Sequence, residues 1–193
     1  MACAVFLVGG CSPQIANRDS RGETIVCFGN SITAGYGVSA AESYPVLLAQ
    51  KVNFKVINSG RSGDTSLEGL QRIEQDVFAY NPRIVIVEFG GNDYLHQIPR
   101  AETFKNIDQM VEMIQSRGAM VVLATVKIGF FVDAYAQGFK EIAKKRKALL
   151  ILDVMQNILD NPQLKYDQIH PNNKGYQLIF ERIYKAIKPL VKE

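Results

Sequence analysis

From Thr24 onward, short β-branched apolar runs alternate with segments whose apolar positions recur every three or four residues. The runs 24–28, 53–58, 83–89, 119–126 and 148–153 are nearly continuous in apolar character. Runs of that length without in–out alternation predict strands buried on both faces of a parallel sheet. Between them, Leu70, Ile73, Val77 and Tyr80 share one predicted helix face, and Thr65 with Glu68 has the spacing of a capping box. Phe104, Ile107, Val111 and Ile114 line the next helix, which Gly118 is placed to terminate. Ile179, Ile183 and Ile187 line the last one. Strand alternating with helix throughout predicts an α/β fold, a three-layer α/β/α sandwich of about five parallel strands. No internal repeat or second domain interrupts residues 24–193.

Composition narrows the function classes. The chain has 193 residues, 47% hydrophobic and 21% charged, which suits one water-soluble domain with a full core. Twenty-two Lys and Arg against 19 Asp and Glu give +3, too small a bias to predict a nucleic-acid partner. Two histidines exclude a histidine-rich metal site, and no apolar run reaches the ~18 residues of a membrane span. Three cysteines, Cys3, Cys11 and Cys27, make no disulfide framework, and Cys27 reads as a small buried hydrophobe.

The start of the chain is distinctive. A short apolar stretch ends in Val8-Gly9-Gly10-Cys11, similar to a bacterial lipobox, although no Lys or Arg precedes it. Residues 1–11 are therefore expected to be a lipoprotein signal with Cys11 the lipidated residue, and the polar stretch 12–23 a tether. That reading places the protein in a bacterial cell envelope, lipid-anchored or secreted, with membrane contact only through the anchor. Without a signal the expected location is the cytoplasm.

In a parallel α/β sheet, ligands bind beyond the carboxyl ends of the strands. The loops there carry unusual residues. The first strand runs into Gly29-Asn30-Ser31, a tight turn from which a hydroxyl can project. The second ends near Gly60, Arg61 and Gly63, whose glycines permit close approach and present amides at a helix start. The third ends in Gly90-Gly91-Asn92-Asp93, with Asn92 a neutral donor. Asp167 and His170, three residues apart before the last helix, can pair so that the far imidazole nitrogen faces the crevice. Pro171 favours an extended His170, and Asn172 or Asn173 can cap the helix behind it. Together these supply each role for acyl transfer. Ser31 is the nucleophile, His170 its general base and Asp167 the group that orients the imidazole. The amides of Ser31 and Gly63 and the Asn92 side chain serve an oxyanion.

These four segments, in this order and spacing, resemble the SGNH hydrolases, also called the GDSL lipase/esterase family, over residues 24–190. Gly63-Asp64-Thr65 and Gly90-Gly91-Asn92-Asp93 are most similar to the thioesterase I/lysophospholipase and arylesterase branch. The resemblance implies a flavodoxin-like fold, a metal-free serine mechanism with no cofactor, and a small acyl ester, thioester or lysophospholipid as substrate. Three positions depart from the pattern: Asn30 for the usual aspartate, Gln168 for a frequent glycine, and Arg61 for a frequent apolar residue. A carbohydrate or peptidoglycan O-acetylesterase is the alternative, and a catalytically inactive binding module a further one.

Several residues carry two readings. Tyr94, Phe130 and Phe131 can line a substrate pocket or pack ordinary core, and Arg61 can meet a substrate anion or be solvated. Glu88 reads as a buried carboxylate with a shifted pKa or a hydrogen-bonded structural residue, and His96 as a surface or crevice-edge residue rather than a second base. The basic run Lys140–Lys147 reads as a solvated helix end.

Overall fold

The computed structural model describes residues 14–127 and 132–191. Five parallel strands form one sheet in the order β2-β1-β3-β4-β5: β1 (Thr24–Gly29), β2 (Lys55–Gly60), β3 (Pro82–Glu88), β4 (Met120–Ala124) and β5 (Leu149–Ile151). Among the described residues, seven helices connect and cover them: α1 (Ser31–Ala34), α2 (Tyr44–Ala49), α3 (Ser66–Asp76), α4 (Gly91–Leu95), α5 (Arg100–Ser116), α6 (Val132–Arg146) and α7 (Asn173–Val191). This is the predicted α/β/α sandwich.

Alternate residues of the apolar runs serve opposite faces. Ile25, Cys27, Ile84, Ile86, Met120 and Val122 pack with Leu48 of α2 and with Tyr176, Ile179 and Ile183 of α7. Val26, Phe28, Val85, Val87, Val121 and Leu123 pack on the other side with Ile73 of α3, Ile107 and Val111 of α5, and Phe139 of α6. Two-sided burial holds for β1, β3 and β4. It fails for the sheet edges: β2 exposes Lys55 and Asn58, and β5 is half-buried throughout. Their apolar residues still divide between the faces, Val56, Leu149 and Ile151 on one and Ile57 and Leu150 on the other, but an edge strand has a neighbour on one side only and stays partly exposed.

Helix boundaries follow local chemistry. Thr65 N donates to Glu68 Oε2 at 2.8 Å, closing the expected capping box at the start of α3. Gly118 takes φ +81 after α5, the left-handed turn that glycine accommodates. The expected face of α3 is cut short. The helix ends at Asp76, and Tyr80 falls in a following 3-10 turn, exposed, with its carbonyl accepting from Thr24 Oγ1. Tyr80 is therefore no part of the α3 core face.

Over residues 14–23 the polar stretch before β1 lies against the domain. Ile15 packs on the core, Ala16 N donates to Lys147 O, and Glu23 N donates to Asn81 O. Asn17 takes φ +59 and its amide donates to Gln115 O in the last turn of α5 (2.8 Å), 98 residues away, and to Ala119 O just ahead of β4 (3.0 Å). Polar residues here satisfy buried backbone, a use that composition cannot distinguish from solvation. Asn17→Ala is expected to cost about 1–3 kcal/mol, since Ala119 O and Gln115 O each lose a donor, although Gln115 O keeps another in Gly118 N. Chemical denaturation checks this, and an unchanged midpoint would show the strap to be idle.

Candidate active site

Four loops meet at the carboxyl edge of the sheet. β1 delivers Gly29-Asn30-Ser31, and Ser31 opens α1 because the Asn30 side chain accepts from Ile32 N at 3.1 Å, capping that turn. Tyr36 N also closes back on Ser31 O at 3.0 Å. Ser31 is almost buried, at 9% exposure.

His170 and Asp167 come from the loop ahead of α7. A short antiparallel bridge between Lys165 and Pro171, with Tyr166 N donating to His170 O, fixes this loop. Asn172, as anticipated, caps α7: its side-chain oxygen accepts from Lys174 N and Gly175 N. His170 Nε2 lies 3.0 Å from Ser31 Oγ, and His170 Nδ1 lies 2.8 Å from Asp167 Oδ2. With the Nδ1 proton shared with the carboxylate, Nε2 is left to accept the serine proton. Asp167 Oδ1 also accepts from Ile169 N and His170 N. Desolvation opposes its ionisation, but these amides and the imidazole outweigh it and hold the carboxyl below its ordinary value. The Tyr36 ring backs the imidazole at 4.4 Å between centroids, and Tyr166 meets Tyr36 edge-on. Gln168 is exposed on the same turn.

Asn92 sits at the start of α4 and donates to Asp64 O at 2.8 Å, tying the β3 loop to the β2 loop. Gly63 takes φ +91 with open space where a side chain would begin. Beside Asn92, Asp93 is fully buried and accepts from Ser66 N (2.9 Å) and Ser66 Oγ (2.5 Å), which fastens the N-terminus of α3 to α4. A small cleft is lined by Ser31, Asn92, Leu95, Val126, Ile169 and His170. It shares Gly91 and Val126 with an apolar cavity of about 200 Å³ bounded by Phe89, Tyr94, Tyr135 and Phe139.

The structure thus brings Ser31, Asn92, Asp167 and His170 together, and Tyr94 lines the neighbouring cavity. Arg61 goes elsewhere. It lines neither space, and its guanidinium pairs with Asp76 Oδ2 at 2.9 Å, because α3 presents a carboxylate there. His96 is exposed at the end of α4. Phe130, Phe131 and Cys11 lie outside the described residues.

Arg72 is a support that the sequence did not single out. Buried in α3, it reaches Asp64 Oδ2 (2.6 Å), Asp76 Oδ2 (2.8 Å), Ser59 O (2.9 Å) and Gly29 O (2.9 Å), and its guanidinium lies over the Phe28 ring. One side chain thereby joins the ends of β1 and β2 just before both site loops. The only signal in the sequence was its i,i+4 spacing to Asp76, which solvated helices also show.

The model of the GDSL-like lipase/acylhydrolase family matches residues 27–178. The chain belongs to that family. Among relatives, thioesterase 1/protease 1/lysophospholipase L1 of Escherichia coli is 30% identical over 182 residues, covering 90% of this chain and 88% of the relative. The crystal structure of TesA superposes with a TM-score of 0.81 at 25% identity, covering 86% of this chain and 99% of that one. The psychrotrophic esterase EstA from Pseudoalteromonas sp., solved inhibited by monoethylphosphonate, gives 0.78 at 29% identity and covers 86% and 97%. Membership makes this GDSL-type protein a carboxylic ester hydrolase.

Proposed function

We propose that the protein hydrolyses small acyl esters, thioesters or lysophospholipids through an acyl-enzyme on Ser31. The observation that carries this is the hydrogen-bonded line from Ser31 Oγ through His170 to Asp167, at 3.0 and 2.8 Å, beside Asn92. His170 takes the serine proton as Oγ attacks the acyl carbon, then returns it to the departing alcohol or thiol. Asp167 holds the imidazole tautomer and stabilises the imidazolium. The amides of Ser31 and Gly63 and the side chain of Asn92 receive the charge on the tetrahedral oxygen. A water activated by His170 then releases the acid.

The apolar cavity beyond Gly91 and Val126 supports an acyl or aryl group longer than acetyl. Attachment to the cell envelope through Cys11 belongs to the same proposal and rests on the sequence Val8-Gly9-Gly10-Cys11.

A p-nitrophenyl ester series from acetate to palmitate tests the reading. The expected profile peaks beyond acetate. Turnover of acetate alone, together with acetyl release from an acetylated polysaccharide, would replace it with the O-acetylesterase. No turnover and no labelling by a fluorophosphonate would leave a binding module.

A further inference from the structure

Glu88 ends β3 directly beside Gly29 in the strand ladder, one residue before the turn that carries Ser31. It is 1% exposed. Its Oε1 accepts from Asn30 Nδ2 at 3.2 Å, and its Oε2 accepts from Thr33 Oγ1 at 3.1 Å. Asn30 and Thr33 bracket Ser31 as the cap and first turn of α1, and the other end of the Asn30 amide holds Ile32 N. The fit is close: a Cβ on Gly29 would stand 2.2 Å from Thr33 Oγ1 and 2.9 Å from Glu88 Oε2. The same strand end continues through Gly90 and Gly91 to Asn92.

We propose that Glu88 is a positioning residue which, through Asn30 and Thr33, fixes the Ser31 hydroxyl between His170 and the Asn92 donor. The proposal rests on the reading of Ser31 as nucleophile. It also accounts for Asn30 where the family carries aspartate. An amide gives Glu88 a donor and Ile32 an acceptor at once, whereas two facing carboxyls would have to share a proton.

Glu88 does this as a neutral acid. Burial drives its carboxyl up to about 8, against the opposing hydrogen bonds from Thr33 and Asn30. The groups facing it give it no ion pair. Cys27 of β1 is pushed to about 12 by burial, and Tyr44 of α2 and Tyr176 of α7 are raised by burial, so all three are uncharged at neutral pH. Arg72 of α3 spends its reach on Gly29 O, and Asp167 is committed to His170. Above about pH 8 an unpaired anion therefore appears beneath the nucleophile turn, where it opposes the charge building on the oxyanion.

Steady-state kinetics on p-nitrophenyl butyrate from pH 6 to 10, with fluorophosphonate labelling rates, tests this. Glu88→Ala is expected to lower kcat and the labelling rate about tenfold or more, with KM within threefold of wild type. The isosteric Glu88→Gln is expected to retain kcat at pH 7 within threefold and to lose the decline that wild type shows above about pH 8. A folded Glu88→Ala with unchanged kcat would overturn the proposal. So would a Glu88→Gln profile that falls at the same pH as wild type, and this arm decides alone if the alanine variant does not fold. Wild type lacking both turnover and label would instead sink the Ser31 reading.

Discussion

Ser31→Ala is expected to lower kcat on a p-nitrophenyl ester by about 10⁴- to 10⁶-fold while KM changes little, because in the proposed mechanism the hydroxyl acts in bond formation rather than in binding. The fold should be indifferent. Among the described residues, the bond from Ser31 Oγ goes to His170 Nε2, and the α1 turn is held by backbone groups and by the Asn30 cap. Equal melting temperatures with lost turnover would separate chemistry from stability. Asn92→Ala is the graded comparison, expected to lose about 10²–10³ as one oxyanion donor is removed. Residual activity in Ser31→Ala within tenfold of wild type would mean that another group performs the attack.

Arg72→Ala is expected to destabilise the domain by about 3–5 kcal/mol, the usual result of removing one partner from a buried ion network. Asp64 and Asp76 are only 15% and 20% exposed, and the carbonyls of Ser59 and Gly29 lose the donor Arg72 supplies. Arg61 still reaches Asp76, so the loss falls mainly on Asp64 and the two carbonyls. Arg72→Lys should recover little, since one ammonium cannot span four acceptors set in a planar fork. Urea denaturation at neutral pH reads the difference directly. A change below about 1 kcal/mol would show that the network contributes no net stability. Since Gly29 precedes Asn30 and Ser31, the variant should also lose turnover at temperatures where it remains folded.

How much of this was legible depended on how local each interaction is. The strands β1, β3 and β4 announce themselves because burial on both faces demands an apolar residue at every position. The edges β2 and β5 are less fully buried, while boundaries shift by one or two residues at β4 as much as at β5. Ser31, Asn92 and the Asp167–His170 pair were readable because each lies beside the turn that presents it. Arg72, Asp93 and Asn17 were not. Their partners lie far off in sequence, from 13 to 102 residues for Arg72 to the two strand ends and Asn17 to the end of α5 and the residue before β4, and a polar side chain looks the same whether it meets water or a buried carbonyl. Arg61 shows the converse error. Proximity to Gly63 in sequence suggested the substrate, while in space its partner is Asp76, a carboxylate it shares with Arg72.

The strap formed by residues 14–23 fixes a polarity on the molecule. It touches Lys147, Ala119 and Asn81, each just ahead of a strand, whereas Ser31 and His170 lie past the strands' far ends. The six residues of β1 alone separate these poles by about 20 Å. Any surface holding the chain immediately upstream of Gln14 would therefore stand at the back of the protein, with the crevice opening away from it. A substrate would then arrive from the medium in front and not from the surface behind.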